Sequence, residues 1–304
     1  MEITSPLTNS KNIKLKRTIK TNFLINAWKK SNIDVARFFL GLDEIYLYEC
    51  MDTGFKFFYP QNLEGDNRFY EDLQKFPWYY MNWKWEYEKA LKLIEPDFSI
   101  LEIGCGPGDF LKKLKEKNIK NVGLEFNDEA IKKCHKKKLT VHQETIQKHA
   151  QNNIEKYDLV CSFQVMEHIA EIKEALSASL KTLKPGGLLV ISVPNDDSFI
   201  KNDPDNLMET PPHHMSRWNR KTLKNLACIF NLELLDIHFE PLQDYHYRYY
   251  YQAIFGDKID KIFRPVGKYI NLVLGRISLY LLVHTSLPQK IKGHTIMAVY
   301  KKNS

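Results

Sequence analysis

Between residues 99 and 193, short apolar runs alternate with amphipathic, lysine-rich stretches. This alternation constrains the fold more than any other feature of the chain. Ser99–Ile103, Asn121–Phe126, Thr140–Gln143, Tyr157–Phe163 and Gly187–Val193 read as strands. Asp109–Lys117, Asp128–Lys138 and Ile172–Leu183 lie between strands and carry apolar residues at helical spacing. Strands separated by helices pair through parallel crossovers, so the pattern predicts an α/β, doubly wound sheet covered on both faces. After a polar loop to about Arg217, a helix is expected over Asn219–Phe230, a strand over Leu232–Phe239 and a last strand over Thr295–Tyr300.

The flanks divide by texture. Residues 1–20 are polar and basic and read as a disordered arm, with no signal-like apolar run. Residues 21–84 form an aromatic extension, 85–304 the main domain, and 241–293 an insertion within it. The chain has 304 residues, 43% of them hydrophobic, which suits a globular protein. Its net charge of +7 lies largely in short runs such as Lys112-Lys113 and Lys136-Lys137-Lys138. Such runs read as solvated helix faces, so no nucleic-acid partner is expected. The five cysteines, at 50, 105, 134, 161 and 228, show no metal or disulfide spacing and suit reduced thiols in a cytoplasmic protein. The longest apolar stretch, Tyr269–Val283, is broken by Asn271, Gly275 and Arg276 and falls short of the ~20 residues of a spanning helix.

Glu102-Ile-Gly-Cys-Gly-Pro-Gly108 places a glycine-rich turn directly between a strand and a helix, where backbone can approach a ligand closely. Nicotinamide enzymes use a Gly-x-Gly-x-x-Gly spacing for a pyrophosphate. Here Gly104, Gly106 and Gly108 are each two apart, and an acid precedes them. That arrangement better suits a ligand with an amino-acid tail, its carboxylate on the loop amides and its ammonium near Glu102. Glu125 ends the next strand, where a carboxylate can accept both hydroxyls of a ribose. An adenosine-bearing cofactor follows, without a choice between a sulfonium and a nicotinamide.

Ile-Leu-Glu-Ile-Gly-Cys-Gly-Pro-Gly, Glu125, Ser162-Phe-Gln-Val-Met-Glu-His-Ile169 and Leu183–Asn195 together resemble, in order, four motifs of the class I S-adenosylmethionine-dependent methyltransferases. The resemblance covers about Phe98 to Asn195. It implies a Rossmann-like sheet of seven strands with the last antiparallel, a helical insertion between strands six and seven, and S-adenosylmethionine as cofactor. It further implies that Phe126 lies against the adenine, that Glu144 or Thr145 approaches the adenine amino group, and that Phe163 and Gln164 line the methionine part. Glu167 and His168 recur among family members with different substrates.

The leader around Leu47–Pro60 resembles a degenerate zinc ribbon found ahead of methyltransferases of bacterial glycan and lipopolysaccharide clusters. Thr53 replaces its second cysteine, so no metal is expected, and the aromatic set Trp78, Tyr79, Tyr80 and Trp83 packs or covers the site. A small-molecule or glycan-type acceptor, methylated at oxygen, is the resulting expectation. Candidate bases are His213 and His214, in a loop that reaches past the strand ends, and His168. For the insertion, a buried helical hairpin is the plainest reading; a peripheral membrane or lipid-linked substrate contact and a homodimer contact are also open. The competing readings are a nicotinamide oxidoreductase on the same scaffold and a catalytically silent binding protein.

Overall fold

The computed structural model describes residues 2–303 apart from Pro77, Trp78 and Tyr80. Two of the aromatic residues expected near the site therefore lie outside the described residues. The chain opens with β1 (Ile13–Lys20), which leads into α1 (Thr21–Lys29). The hairpin β2 (Glu44–Cys50) and β3 (Lys56–Tyr59) follows. β1 pairs antiparallel with β2 from Ile13↔Cys50 to Lys20↔Glu44, so residues 13–20 are not a disordered arm. The basic composition misleads because its charges are answered across the pair: Lys16 meets Glu49 at 2.9 Å and Lys20 meets Glu44 at 2.6 Å, while Ile19 is buried.

Two short helices, α2 (Asn67–Leu73) and α3 (Trp85–Leu91), lead into the main sheet. Its first half is β4 (Ser99–Ile103), α4 (Asp109–Glu116), β5 (Lys120–Leu124), α5 (Asp128–Lys136), β6 (Val141–His142) and α6 (Ile146–His149). Its second half is β7 (Tyr157–Phe163), α7 (Ile172–Thr182) and β8 (Leu183–Pro194). A two-residue strand, β9 (Ser216–Arg217), precedes α8 (Arg220–Ile229) and β10 (Leu232–Pro241). The insertion holds α9 (Tyr247–Tyr251), α10 (Asp257–Ile262) and α11 (Gly267–His284), and β11 (Lys292–Lys302) ends the fold.

The seven strands are ordered β10-β11-β8-β7-β4-β5-β6, with β11 antiparallel to both neighbours. The alternation predicted the doubly wound sheet, and the resemblance its Rossmann-like form with seven strands, the last antiparallel. The helices take their place by burying one stripe each. α4 buries Phe110, Leu111 and Leu114 and turns Lys112 and Lys115 to solvent. Each such apolar side chain withdrawn from water contributes about 1.5–3 kcal/mol before entropy is counted.

The aromatic extension is not a separate body. β1, β2, β3 and β9 form a second sheet, and β9 comes from the loop after β8. Phe55 packs edge-on to the fully buried Trp218 at 5.1 Å, and Phe55 and Phe57 join the core of the main sheet. A boundary between residues 84 and 85 therefore cuts through one four-stranded sheet. The insertion is helical as expected, but α11 leaves Tyr269, Leu272, Val273 and Tyr280 exposed. No helix among the described residues is long and apolar enough to cross a membrane.

Candidate active site

The carboxyl ends of β4, β5, β6 and β7 open onto one cavity of about 400 Å³, within the range of small-ligand sites. Its wall includes Gly104, Gly106, Glu125, Phe126, Glu144, Phe163, Gln164 and His168, eight residues expected at a site from sequence. Open α/β sheets bind ligands at this edge because the strand ends and helix starts converge there.

The loop after β4 is shaped for close approach. Gly104 and Gly106 have φ of +68° and +51°, a region that favours glycine. A Cβ on Gly104 would lie 2.4 Å from Val165 Cγ2. Glu125 faces the loop: one oxygen accepts from Gly106 N–H at 2.8 Å, the other from Phe126 N–H at 2.8 Å and Asn127 N–H at 2.9 Å. Phe126 presents a half-exposed ring beside it. Lys137 pins the loop from behind, with Nζ 2.8 Å from Pro107 O and 2.6 Å from Asp109 Oδ1.

Four expected residues do not line the cavity. Glu102 is 1% exposed, and its Oε2 has no hydrogen-bond partner. Burial pushes its carboxyl well above the usual range. Gly108 is structural. It precedes α4 at φ +79°, and a Cβ there would meet Leu139 at 2.5 Å and Cys134 Sγ at 2.8 Å. His213 and His214 are 5% and 4% exposed and do not line the cavity.

The remaining expectations are placed with adjustments. Glu144 borders the cavity but accepts from His149 Nδ1 at 2.8 Å, which holds its carboxyl below the usual range. Thr145 also borders the cavity and caps α6 through Lys148 N–H at 3.1 Å. Gln164 has φ +59°, and its side-chain amide turns toward Glu86 Oε1 and Thr295 Oγ1, 3.4 Å from each. Residues missed from sequence include Asn67, Tyr70 and Lys84, which border the cavity together with Tyr79 of the expected aromatic set. Tyr70 and Tyr79 reach His168 and His213, 98 and 134 residues away, and no local pattern carries such pairings.

His168 ends a short turn after β7. Its Nδ1–H donates to His213 O at 2.6 Å. His213 Nδ1–H donates to Met208 O at 2.8 Å, and Tyr79 O–H lies 3.3 Å from its Nε2. His214 Nδ1 faces Glu209 Oε2 at 3.4 Å, and His294 Nε2 faces the other Glu209 oxygen at 3.6 Å. Burial raises the cost of a charged Glu209, yet His214 and His294 hold it well below the usual carboxylate range. Burial, with His214 beside it, lowers His168 to about 3, so the ring facing the cavity is neutral near pH 7.

These features fit an adenosyl sulfonium. The glycine turn brings backbone to the cavity wall, Glu125 borders the cavity where a ribose would lie, and Phe126 offers a ring face. The loop N–H groups are already engaged: Gly104 and Cys105 donate to Leu124 O, Gly106 to Glu125 and Gly108 to Cys105 O.

Comparison with known proteins gives the same reading. A family model described as a methyltransferase domain matches residues 78–237, more than half of the chain. The chain therefore belongs to the methyltransferase-domain family, in the class I branch that uses S-adenosylmethionine. A ubiquinone biosynthesis O-methyltransferase of Serratia proteamaculans is 29% identical over 105 residues, which are 33% of this chain and 44% of that protein. One from Aliivibrio fischeri (strain MJ11) is 29% identical over 102 residues, 32% of this chain and 44% of its own length. The chain thus spans less than half the length of these relatives. A crystal structure from Bacillus halodurans C-125, assigned as a methyltransferase, superposes with a TM-score of 0.50 at 11% identity, covering 72% of this chain and 99% of that one. A SAM-dependent methyltransferase from Archaeoglobus fulgidus gives a TM-score of 0.49 at 21% identity, over 71% and 91% of the two chains.

Proposed function

We propose that the chain transfers the sulfonium methyl of S-adenosylmethionine to a hydroxyl oxygen of a small-molecule acceptor. The observation that carries this reading is the shared cavity: the glycine loop and Glu125 form one end of its wall, and His168 another part of it. Bound S-adenosylmethionine supplies an already electrophilic methyl group. The protein's task is to hold the acceptor oxygen in line with the methyl carbon and sulfur, an orientation effect able to supply ~7–11 kcal/mol. As the new O–C bond forms, the C–S bond breaks and its electron pair passes to sulfur. The acceptor's proton must leave as well, and His168, the ring of the histidine cluster that borders the cavity, is the group positioned to handle that hydroxyl. Support for oxygen comes from the relatives named as O-methyltransferases.

The test uses methyl-labelled S-adenosylmethionine with hydroxylated small molecules and glycans, followed by the mass of each product. Transfer to oxygen is expected. Transfer only to nitrogen or carbon, or to no acceptor at all, overturns the reading. Glu125→Ala is expected to weaken S-adenosylhomocysteine binding at least tenfold in calorimetry.

For the insertion, the apolar residues that α11 exposes support contact with a membrane surface or an apolar, lipid-linked acceptor. Co-sedimentation with anionic vesicles is the expected result. Sedimentation as a dimer that ignores vesicles would assign that face to self-association instead.

A further inference from the structure

His168, His213 and His214 come together although 45 residues separate the first from the pair, and one nitrogen from each lies within 4.8 Å of the others. Their hydrogen bonding is directional. In every ring Nδ1 faces an oxygen: His213 O for His168, Met208 O for His213 and Glu209 Oε2 for His214. An Nδ1–H so engaged leaves Nε2 as the lone-pair nitrogen, the tautomer that outer-shell oxygens impose on metal-binding histidines.

Glu167 supplies the second, independent observation. It is 1% exposed, and neither of its carboxyl oxygens has a hydrogen-bond partner. Its Oε1 lies 4.0 Å from both His168 Nε2 and His214 Nε2, too far for a hydrogen bond. A carboxyl group buried without partners, facing two imidazole lone pairs, is costly unless something joins them. Protein–protein hydrogen bonds do not join them here. A cation between them would satisfy all three groups at once.

We propose that Glu167, His168 and His214, with His213 alongside, form a binding site for a first-row divalent cation of the zinc type. The ligand set of imidazole nitrogens and one carboxylate oxygen suits such an ion better than magnesium or calcium, which favour oxygen. Bonds of about 2.0–2.2 Å require the ligand atoms to draw in by roughly 1 Å, a side-chain adjustment. Glu209 and the carbonyls of Met208 and His213 are the outer shell. This replaces the sequence-based expectation of no metal, which rested on spacing along the chain.

His168 borders the cavity, so an ion held by this set would lie at its wall. An acceptor hydroxyl bound there would lose its proton more readily than in water. That role rests on the O-methylation reading above; the site itself does not.

The test uses the full chain, stripped with a chelator and dialysed. Titration with Co²⁺ is expected to give the visible bands of a low-coordinate ion, saturating at a single equivalent and displaced by Zn²⁺. Glu167→Gln, which keeps size and shape, and His168→Ala/His214→Ala should each weaken uptake at least about a hundredfold, and Glu209→Gln about ten- to a hundredfold. S-adenosylhomocysteine binding in Glu167→Gln reports that the fold is intact. Absence of Co²⁺ uptake by the unaltered chain, or equal uptake by a folded Glu167→Gln, overturns the site. Methyl transfer that is equal in stripped and reloaded protein overturns the role in activating the acceptor. Metal uptake without methyl transfer to any hydroxyl leaves the site standing and removes the O-methylation reading instead.

Discussion

Gly104 shows how far a single residue can be read. Its spacing after the strand marked a close approach to ligand, and the structure adds the reason no side chain fits: positive φ and Val165 at 2.4 Å from a would-be Cβ. Gly104→Ala is expected to add about 1–3 kcal/mol of backbone strain and to press on a branched side chain with few rotamers. Thermal unfolding should show a lowered midpoint, and calorimetry a more than tenfold loss of S-adenosylhomocysteine affinity. Wild-type affinity would mean that the ligand does not approach the loop backbone. His168→Ala should separate binding from chemistry: cofactor affinity held within a few-fold, turnover down by about a hundredfold or more. Glu125 was legible because a strand-end acid twenty-one residues after Gly104 is a local pattern. The burial of His213 was not legible, since it depends on Tyr70 and Tyr79 packing against its ring from far along the chain.

At the scale of elements, periodicity located the strands of the main sheet, and the antiparallel last strand followed from the resemblance. What it missed was β1, whose lysines and arginine masked a strand whose partners lie thirty residues on. Short β6 was also hard to delimit, with two residues observed against four expected. β7 carries a testable titration. Tyr157 opens it, buried, with its hydroxyl 2.8 Å from His149 Nε2. Burial pushes the phenol up from an ordinary value of 10 to about 12. The unfolded chain therefore loses this proton first. The stabilisation is complete below pH 10 and is lost as pH climbs toward 12. Tyr157→Phe should make the alkaline decline in unfolding free energy shallower, a difference that denaturant titrations at pH 9 to 11.5 would detect. An unchanged slope would mean that Tyr157 ionises normally.

At the scale of the molecule, the two sheets share one load path. Lys56 Nζ on β3 lies 2.5 Å from Asp196 Oδ2 just after β8, and Arg217 Nη1 on β9 lies 3.7 Å from the other oxygen. Asp196 is 5% exposed, and burial raises its carboxyl despite both cations. Lys56→Ala removes the nearer partner and should cost about 1–3 kcal/mol. Because the pair braces the loop that carries the histidines, turnover should fall while S-adenosylhomocysteine affinity stays. A parallel loss of both would place the damage in the whole fold. Composition could not reveal this brace: residues 21–84 differ in texture from the main domain, yet they supply strands and cavity wall to it.

The pairing of β3 with β9 also has a kinematic consequence. The histidine loop is tethered near Asn195 and Trp218, which bridge one another, and again where Phe57 meets Ser216. A flap fastened at both hinges cannot swing without peeling a strand. The N-terminal part of the chain supplies Asn67, Tyr70, Tyr79 and Lys84 to the same cavity wall. A fragment trimmed to the seven-stranded sheet would discard both that wall and the strand that fastens the loop.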